Sequence, residues 1–354
     1  MSAGLLLTSA GCAPGGDAEP EVEPDAVTPV ELPFEISGWS EIVLSVSDLS
    51  VHESFYRDVA SWNVRHRGRI GTDQLSQWGL DAEGVSAEDI LLGNADETRG
   101  FVRLVRFDGV EKRQIRSNTQ SWDTGGIFDF NVRVADMQAK FGQMQQLGWQ
   151  GATDPMQFTF GPFTVIEWLP RGPDGVMLAL IQRLAPPLEG WDNLREFSRT
   201  FNATQIVRDI DAALDFYVNV LGFQVYLEHR GASPEPGENV LGLPHNLAVE
   251  EERIIYIVHP EGLNEGSVEL LQFAGLRGRD VSDLAVPPNL GSMALRFPVR
   301  GIDALVERLR QNDIPLETDL ADVDLPPYGA VRSFAVRAPD GAWMEFFEVQ
   351  SPGS

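Results

Sequence analysis

Two histidines stand at matching places in this chain, and each is followed by an arginine and a glycine. They are His66-Arg67-Gly68 and His229-Arg230-Gly231, each on the strand predicted after a helix that contains Phe-Tyr. A histidine beside an arginine stays neutral more readily, so it can act as a base or donate a hydrogen bond at neutral pH. We therefore treat His229 as a candidate catalytic residue and Arg230 as a candidate substrate contact. The alternative is a strand end with a turn glycine.

Other kinds of chemistry find no support in the sequence. It has no Gly-rich phosphate loop, no Gly-x-Ser-x-Gly motif and no Cys-His pair, which argues against nucleophilic hydrolysis. The formal net charge of −26 argues against nucleic acid and anionic membrane surfaces as partners, because both would be repelled. With 354 residues, of which 43% are hydrophobic, the chain has enough material for two cores.

The elements that position these residues follow a pattern that occurs four times. An apolar strand ends in Val-x-Asp and leads into an amphipathic helix, at Val46-Ser47-Asp48, Val134-Ala135-Asp136 and Val207-Arg208-Asp209, with a degraded copy at Val299-Arg300-Gly301. An aspartate at this junction is a natural N-cap, because its carboxylate accepts from the free amides of the first helical turn. The repetition predicts four strand-helix-strand modules, here called modules one to four.

Two further signals mark the modules. Phe55-Tyr56 and Phe216-Tyr217 hold the same offset from the aspartate in modules one and three, and their helical spacing favours a role in core packing. Modules two and four end in Pro173-Asp174-Gly175 and Pro339-Asp340-Gly341, each followed by an apolar run. Pro-Asp-Gly between apolar runs is typical of a hairpin turn. The modules thus form two similar halves.

Val-x-Asp with Phe-Tyr, and Pro-Asp-Gly with a closing strand, resemble the vicinal oxygen chelate superfamily of glyoxalase I, bleomycin-resistance proteins and extradiol dioxygenases. The resemblance covers about residues 37 to 350. It implies an α+β fold of two tandem domains, in which each pair of βαβββ modules forms a curved mixed sheet around a cup. The expected segments are a signal and tether at 1–36, domain 1 at 37–183, a linker at 184–196 and domain 2 at 197–350.

The resemblance also implies where metal ligands would lie. Carried onto this chain, the positions in the first strands of the modules are Glu41, Asp129, Asn202 and Ala294. The positions in the last strands are Arg103, Ala179, Glu269 and Glu345. None of these residues is histidine, so the two-His, one-Glu iron site of the extradiol dioxygenases cannot be built. Domain 1, with Arg103 and Ala179 in place of ligands, is expected to be metal-free.

Domain 2 keeps Asn202, Glu269 and Glu345, which are the candidate ligands of a divalent metal such as Mg²⁺, Mn²⁺ or Zn²⁺. Without a metal, Glu269 and Glu345 are the candidate catalytic base and acid, because two neighbouring carboxylates raise one pKa. The alternative for either glutamate is a structural ion pair. Residues on or next to the presumed cup strands are expected to bind substrate: Tyr256, Tyr328 and Trp343.

The pairing of the modules stays open at this level. If modules two and three form one cup and modules one and four the other, Asp129 joins Asn202 and Glu269. That arrangement gives the better cluster of oxygen donors.

Three functions agree with these features. The first is a glyoxalase-like lyase or isomerase that acts on a small molecule by proton transfer or with weak metal assistance. The second is a metal-free protein that binds and sequesters a small molecule, as bleomycin-resistance members do. The third is a non-catalytic structural lipoprotein. The expected partner is a small molecule, and the expected state is a monomer or homodimer.

The N-terminus predicts a lipid anchor. An apolar run ends in Gly11-Cys12, the only cysteine, and residues 13–33 are rich in Pro, Gly, Asp and Glu. This looks like a bacterial lipoprotein signal that is lipidated on Cys12, with an unstructured tether behind it. We therefore expect the protein in the bacterial cell envelope, facing the periplasm or the exterior, with the membrane contacted only through the anchor. The alternative is a cytoplasmic protein with a frayed leader.

Overall fold

The computed structural model describes residues 32–160, 162–191 and 194–350, and these residues form the four predicted modules. Module one consists of β1 (Glu35–Ile36), β2 (Glu41–Ser45), α1 (Leu49–Asp58), β3 (Asn63–Arg69), α2 (Thr72–Gln77), β4 (Ser86–Gly93) and β5 (Phe101–Asp108). Module two consists of β6 (Asp129–Val134), α3 (Met137–Gln146), β7 (Gln150–Gly151), β8 (Met156–Phe160), β9 (Phe163–Trp168), β10 (Pro170–Arg171) and β11 (Leu178–Ala185).

The second half of the chain repeats this order. Module three consists of β12 (Phe197–Ile206), α4 (Ile210–Leu214) with a π-helical continuation (Asp215–Val220), β13 (Gln224–Gly231), α5 (His245–Glu250), β14 (Arg253–His259) and β15 (Ser267–Phe273). Module four consists of β16 (Gly291–Arg300), α6 (Ile302–Gln311), β17 (Thr318–Leu325), β18 (Gly329–Arg337) and β19 (Trp343–Val349). The predicted lipidation site, Cys12, lies outside the described residues. No helix in the described part of the chain is long and apolar enough to cross a membrane.

The Val-x-Asp aspartates cap the helices as predicted. Asp48 accepts from the backbone amides of α1, Asp136 from the amide of Ala139, and Asp209 from the amides of α4. Module four has no such cap, and its helix starts after Gly301, which adopts a left-handed φ of 78°. A side chain at that position would also meet the carbonyl oxygen of Pro33 at 2.8 Å. The degraded copy of the motif therefore has a structural reason.

The Pro-Asp-Gly aspartates connect consecutive modules. Asp174 accepts a hydrogen bond from the backbone N–H of Ser47 at 2.8 Å and lies 3.0 Å from His52 Nε2. Asp340 accepts from the backbone N–H of Arg208, also at 2.8 Å. In each half of the chain, the closing turn of the second module therefore holds the Val-x-Asp loop of the module before it.

The fold class is confirmed, since two curved mixed sheets each consist of two modules. The first sheet joins modules one and four in the order β17-β18-β19-β16-β2-β5-β4-β3, with β1 added beside β16. The second sheet joins modules two and three in the order β13-β14-β15-β12-β6-β11-β9-β8. We call the concave sides of these sheets the first cup and the second cup. At both centres, the first strands of two modules pair antiparallel.

This pairing corrects the expected boundaries. Residues 37–183 and 197–350 each supply half of both sheets, so neither segment forms a cup of its own. The segment 184–196 connects β11 to β12 within the second sheet, and is not a link between two cups. The chain passes between the sheets after β5 and after β15. Those two crossing segments lie together, with bridges from Gln114 to Leu290 and from Thr124 to Asp280.

Candidate functional site

The second cup brings carboxyl groups from both of its modules to one face. Thr204 on β12 pairs with Asp129 on β6 and with Glu269 on β15, and residues in register share a face of the sheet. Glu167 on β9 lies on the same face, because it pairs with Ile181 on β11 and Ile181 pairs in turn with Arg133 on β6. The electrostatic influence of Asp129 reaches Glu167 and Glu269, and that of Glu167 reaches Glu269. The cup therefore contains three interacting acids.

Apolar side chains form the floor beside these acids. They come from the same face of the sheet and from the segment around α5: Phe128, Leu169, Met177, Ala179, Ile206, Leu243, Ala248, Leu271 and Phe273. Ile206 and Leu271 follow Thr204 and Glu269 by two residues, so they point to the same side. The floor keeps water away from one side of the acids and lowers the local dielectric.

Burial on this floor raises the pKa values of the acids. The pKa of Glu269 rises to about 8, because burial and the charges of Asp129 and Glu167 all disfavour ionisation. Burial and Asp129 also raise the pKa of Glu167 to about 8, against the attraction of Arg133. Burial raises the pKa of Asp129 only to about 6, because hydrogen bonding with Thr204 favours its charged form. At pH 7 to 8, Asp129 is the ionised member and the two glutamates hold titratable protons.

The first cup has the opposite electrostatic design. Arg103 and Arg296 occupy its centre, fully buried, and both bind Glu41 at 2.7 Å. Arg103 also pairs with Asp89, and Arg296 binds Glu345 at 2.6 Å. Burial opposes ionisation of Glu41, but the two arginines outweigh it and hold its pKa at about 2. The first cup is closed by a paired ionic network.

The candidate carboxylates named from the sequence lie in different cups. Glu269 faces the second cup, whereas Glu345 lies in the first sheet, where Arg296 and the indole of Trp78 bind it at 2.6 and 2.7 Å. The expectation that Glu269 and Glu345 share one cavity is therefore wrong. The physical reason is the strand order, which places β15 and β19 in separate sheets.

The other candidates divide in the same way. His229 pairs with Ile255 on β14, whose side chain packs on the apolar floor, so His229 belongs to the second cup at its edge strand. Tyr256 alternates to the opposite face, where its hydroxyl donates to Glu228 at 2.7 Å. The register places Arg230 on that same outer face, exposed. Neither Tyr256 nor Arg230 lies in a cup.

The two aromatic candidates of module four serve the ionic network of the first cup. Tyr328 donates its hydroxyl to Glu41 at 3.0 Å. Trp343 packs in the core of the first sheet, and its indole N–H lies 3.3 Å from Glu345. Their expected role in binding substrate beside Glu269 therefore has no geometric basis.

The residues do not fit the metal that the sequence suggested. Glu345 is in the other cup, and the amide nitrogen of Asn202 donates to Ser267 Oγ at 2.8 Å, so Asn202, Glu269 and Glu345 form no common site. In the part of the chain that the structure describes, no group of three or more His, Cys, Asp or Glu side chains is arranged to hold a metal ion. The second cup has oxygen donors without the geometry of a metal centre.

Sequence reasoning missed Glu167 and the two cup residues Thr204 and Arg296. Glu167 is a lone acid in the apolar strand Phe163–Trp168, which is the signal that would have revealed it. In the first strands of modules three and four, the positions that meet the partner strand at the centre are Thr204 and Arg296. The resemblance pointed instead to Asn202 and Ala294, two residues earlier in each strand.

Comparisons with known proteins agree with this architecture. Residues 200–346 match the family model described as Glyoxalase/Bleomycin resistance protein/Dioxygenase superfamily. The structure is similar to glyoxalase I from Zea mays, with 14% identity and a TM-score of 0.57 over 89% of this chain and 93% of that one. It is also similar to a putative dioxygenase from Bacillus subtilis, with 12% identity and a TM-score of 0.52 over 90% and 86%. Comparison with the curated proteins gives no match.

The resemblance drawn from the sequence motifs is thereby confirmed. The family match spans modules three and four, which contribute to different sheets. The match therefore depends on the sequence of the modules and not on how the modules pair. The solved structures extend the shared fold to nearly the whole described chain. At identities of 12 and 14% they show the fold alone, and the chemistry has to be argued from the second cup.

Proposed function

We propose that the second cup catalyses proton transfer on a small molecule, in a lyase or isomerase reaction, with Glu167 and Glu269 as the groups that exchange protons. The observation that carries this proposal is that Asp129, Glu167 and Glu269 share a concave face above an apolar floor. Both glutamates remain partly exposed, so a ligand can reach them. Structural carboxylates in the first cup, by contrast, are paired with arginine.

The electrostatics of the acids suit such a reaction. An ionised glutamate removes a proton from a carbon next to a carbonyl group, while the protonated glutamate donates its proton to the oxygen that becomes negative. One acid gains a proton as the other loses one, and the pair is restored when the protonated glutamate returns a proton to carbon and the other takes back the proton of the enol O–H. Burial, together with the charge of Asp129, holds the pKa of both glutamates at about 8. No step requires a metal.

Exchange of carbon-bound hydrogen with solvent tests this proposal without knowledge of the substrate. The protein is incubated in D₂O with a panel of small carbonyl compounds, and loss of the C–H signal is followed by proton NMR. We expect Glu269→Gln and Glu167→Gln to slow exchange by about 10²–10⁴-fold, the usual contribution of a general base. The control is Glu228→Gln on the outer face, which should exchange at the wild-type rate. Wild-type rates in both cup variants would refute the proposal.

A metal-free binding protein is the second candidate function. The apolar floor and the partly exposed acids would also hold a small ligand without changing it. A wild-type protein that binds members of the panel but exchanges no hydrogen in any of them would establish this function in place of catalysis.

The cellular location rests on the sequence. We propose that Cys12 is lipidated and that residues 13–33 tether the modules to the bacterial envelope. The supporting observation is the position of the only cysteine directly after an apolar run with small residues. Metabolic labelling of the native host with a palmitate analogue tests this, because Cys12→Ser should abolish the label.

A further inference from the structure

The second cup contains two arginines for which the described residues supply no ion pair. Arg133 on β6 is in register with Ile181 on β11, and Arg183 follows Ile181 by two residues on the same face. That face also presents Glu167, the other partner of Ile181. The arginines therefore lie beyond the acids, on the side away from the apolar floor.

Part of their hydrogen-bonding capacity is unused within the described residues. Within residues 32–160, 162–191 and 194–350, the buried Nε–H groups of Arg133 and Arg183 have no hydrogen-bond partner. In the same residues, neither guanidinium has a carboxylate within salt-bridge distance, although Arg133 is only 6% exposed. Burial and the neighbouring charge of Arg183 lower the pKa of Arg133 to about 10. A buried cation without a partner is costly unless a ligand supplies the opposite charge.

Aromatic rings hold both guanidinium groups in place. The Cζ atom of Arg133 lies 4.3 Å from the ring centre of Phe201, and that of Arg183 lies 4.0 Å from the ring centre of Phe163. Stacking against a ring uses the flat side of a guanidinium and leaves its N–H edge free for hydrogen bonds. The two edges are thus prepared to bind an anion with planar oxygen geometry.

The first cup shows how this chain treats buried arginines that have only a structural role. Arg103 binds Glu41 and Asp89, and Arg296 binds Glu41 and Glu345. In the described residues of the second cup, by contrast, no hydrogen bond joins a carboxylate to the Nε–H of Arg133 or of Arg183. Glu167, the nearest acid in electrostatic terms, has a pKa of about 8 and holds its proton for most of the time at pH 7.

We propose that Arg133 and Arg183 form a binding site for the carboxylate group of the small molecule that occupies the second cup. The site deepens the proposed function and rests on it insofar as that molecule is the substrate. A carboxylate fits better than a doubly charged phosphate, because the ionised Asp129 and the titratable Glu167 lie in the same cup and repel excess negative charge.

Ligand-observed fluorine NMR tests the site directly on the folded protein. The probes are 4-fluorobenzoate, its neutral analogue 4-fluorobenzamide, and unlabelled acetate and inorganic phosphate as competitors. We expect saturable binding of the benzoate, displacement by acetate, and at least tenfold weaker binding of the benzamide. Arg183→Gln should weaken benzoate binding roughly ten- to hundredfold, which corresponds to losing a charge-assisted hydrogen bond. Arg230→Gln on the outer face is the matched control and should bind like wild type.

Several outcomes would overturn the site. These are equal binding of benzoate and benzamide, wild-type affinity in Arg183→Gln, no saturable binding of any probe, or stronger competition by phosphate than by acetate. Arg133 is buried, so Arg133→Gln is informative only if its circular dichroism matches wild type, and Arg183→Gln carries the test otherwise. Binding is measured without turnover. Intact benzoate binding together with unchanged hydrogen exchange in Glu269→Gln would refute the catalytic proposal and leave the carboxylate site standing.

Discussion

Replacing Glu269 with glutamine should make the protein more stable in mild alkali and leave its stability below about pH 4.5 nearly unchanged. The pKa of Glu269 is about 8 in the folded protein and 4.5 in the unfolded chain. Between these values the folded protein holds more protons than the unfolded chain, so the free energy of unfolding falls as the pH rises. The loss is complete above about pH 8, when the folded protein must ionise Glu269 beside Asp129.

The size of the effect follows from the same two values. At about 1.4 kcal/mol per pH unit, the difference corresponds to a loss of about 5 kcal/mol in wild type. Solvent in the cup screens part of it, so we expect a gain of about 2–4 kcal/mol for Glu269→Gln at pH 9. At pH 6 the glutamate is protonated in the folded protein but ionised in the unfolded chain, so a gain of about 1–2 kcal/mol remains for the variant. Below about pH 4.5 the glutamate is protonated in both states and resembles glutamine, and the two proteins should agree within about 1 kcal/mol.

Urea unfolding at pH 4, 6, 7, 8 and 9 measures this difference. Glu228→Gln on the outer face is the control, because an exposed pair with Arg230 contributes only about 0–1 kcal/mol to the free energy of unfolding. A wild type and a Glu269→Gln variant with parallel stability profiles would show that Glu269 is ionised throughout. The reasoning about the raised pKa, and with it the proton-transfer role, would then fail.

Further predictions concern the first cup, Asp129 and the anchor. Glu345→Gln should cost about 3–5 kcal/mol of unfolding free energy in a urea titration and leave benzoate binding intact, because it removes one of the two carboxylates that neutralise the buried Arg296. Unchanged stability would contradict the network. The contribution of Glu41 to the free energy of unfolding should fall progressively as the pH drops from about 4.5 to its folded pKa of about 2. In an acid titration followed by circular dichroism, Glu41→Gln should abolish this part of the pH dependence. Asp129→Asn should lower the pKa of Glu269. In urea unfolding, the loss of stability with rising pH should then end at a lower pH and be smaller than in wild type. Cys12→Ser should move the protein from the membrane fraction to the soluble fraction of its native host, and equal fractionation would refute the anchor.

Local sequence signals were sufficient for the modules and not for their assembly. Asp48 caps a helix and Gly341 takes a left-handed φ of 79°, because each residue type answers a local backbone requirement. Strand pairing has no such local determinant. The first strands of all four modules are buried almost throughout, so burial alone does not decide which of them pair. Contacts such as that between Ser47 and Asp174 do join consecutive modules. Each half of the chain therefore resembles a unit, although each sheet combines modules from both halves.

The candidate site was predictable only in part for the same reason. Glu269 was found because it lies at the end of a recognisable module, and Asp129 was reached only through the alternative pairing. Arg296 was missed because cross-strand pairing, and not the distance from the Val-x-Asp motif, decides which residue meets Glu41, and the register of β16 contains a one-residue irregularity between Ser292 and Ala294. A bulge of this kind leaves no signal in the amino-acid types around it.

The nested order of the modules has a consequence for biosynthesis. The second sheet is made from one continuous stretch of chain, so it can close as soon as module three has left the ribosome. Module one has to wait, since Glu41 meets Arg296 only 255 residues later. At a synthesis rate of about 5–20 residues per second, the edge of β2 and a charge destined for the interior remain without their partner for roughly 10–50 s. The nascent first half is thus the stage at which this protein most needs a chaperone.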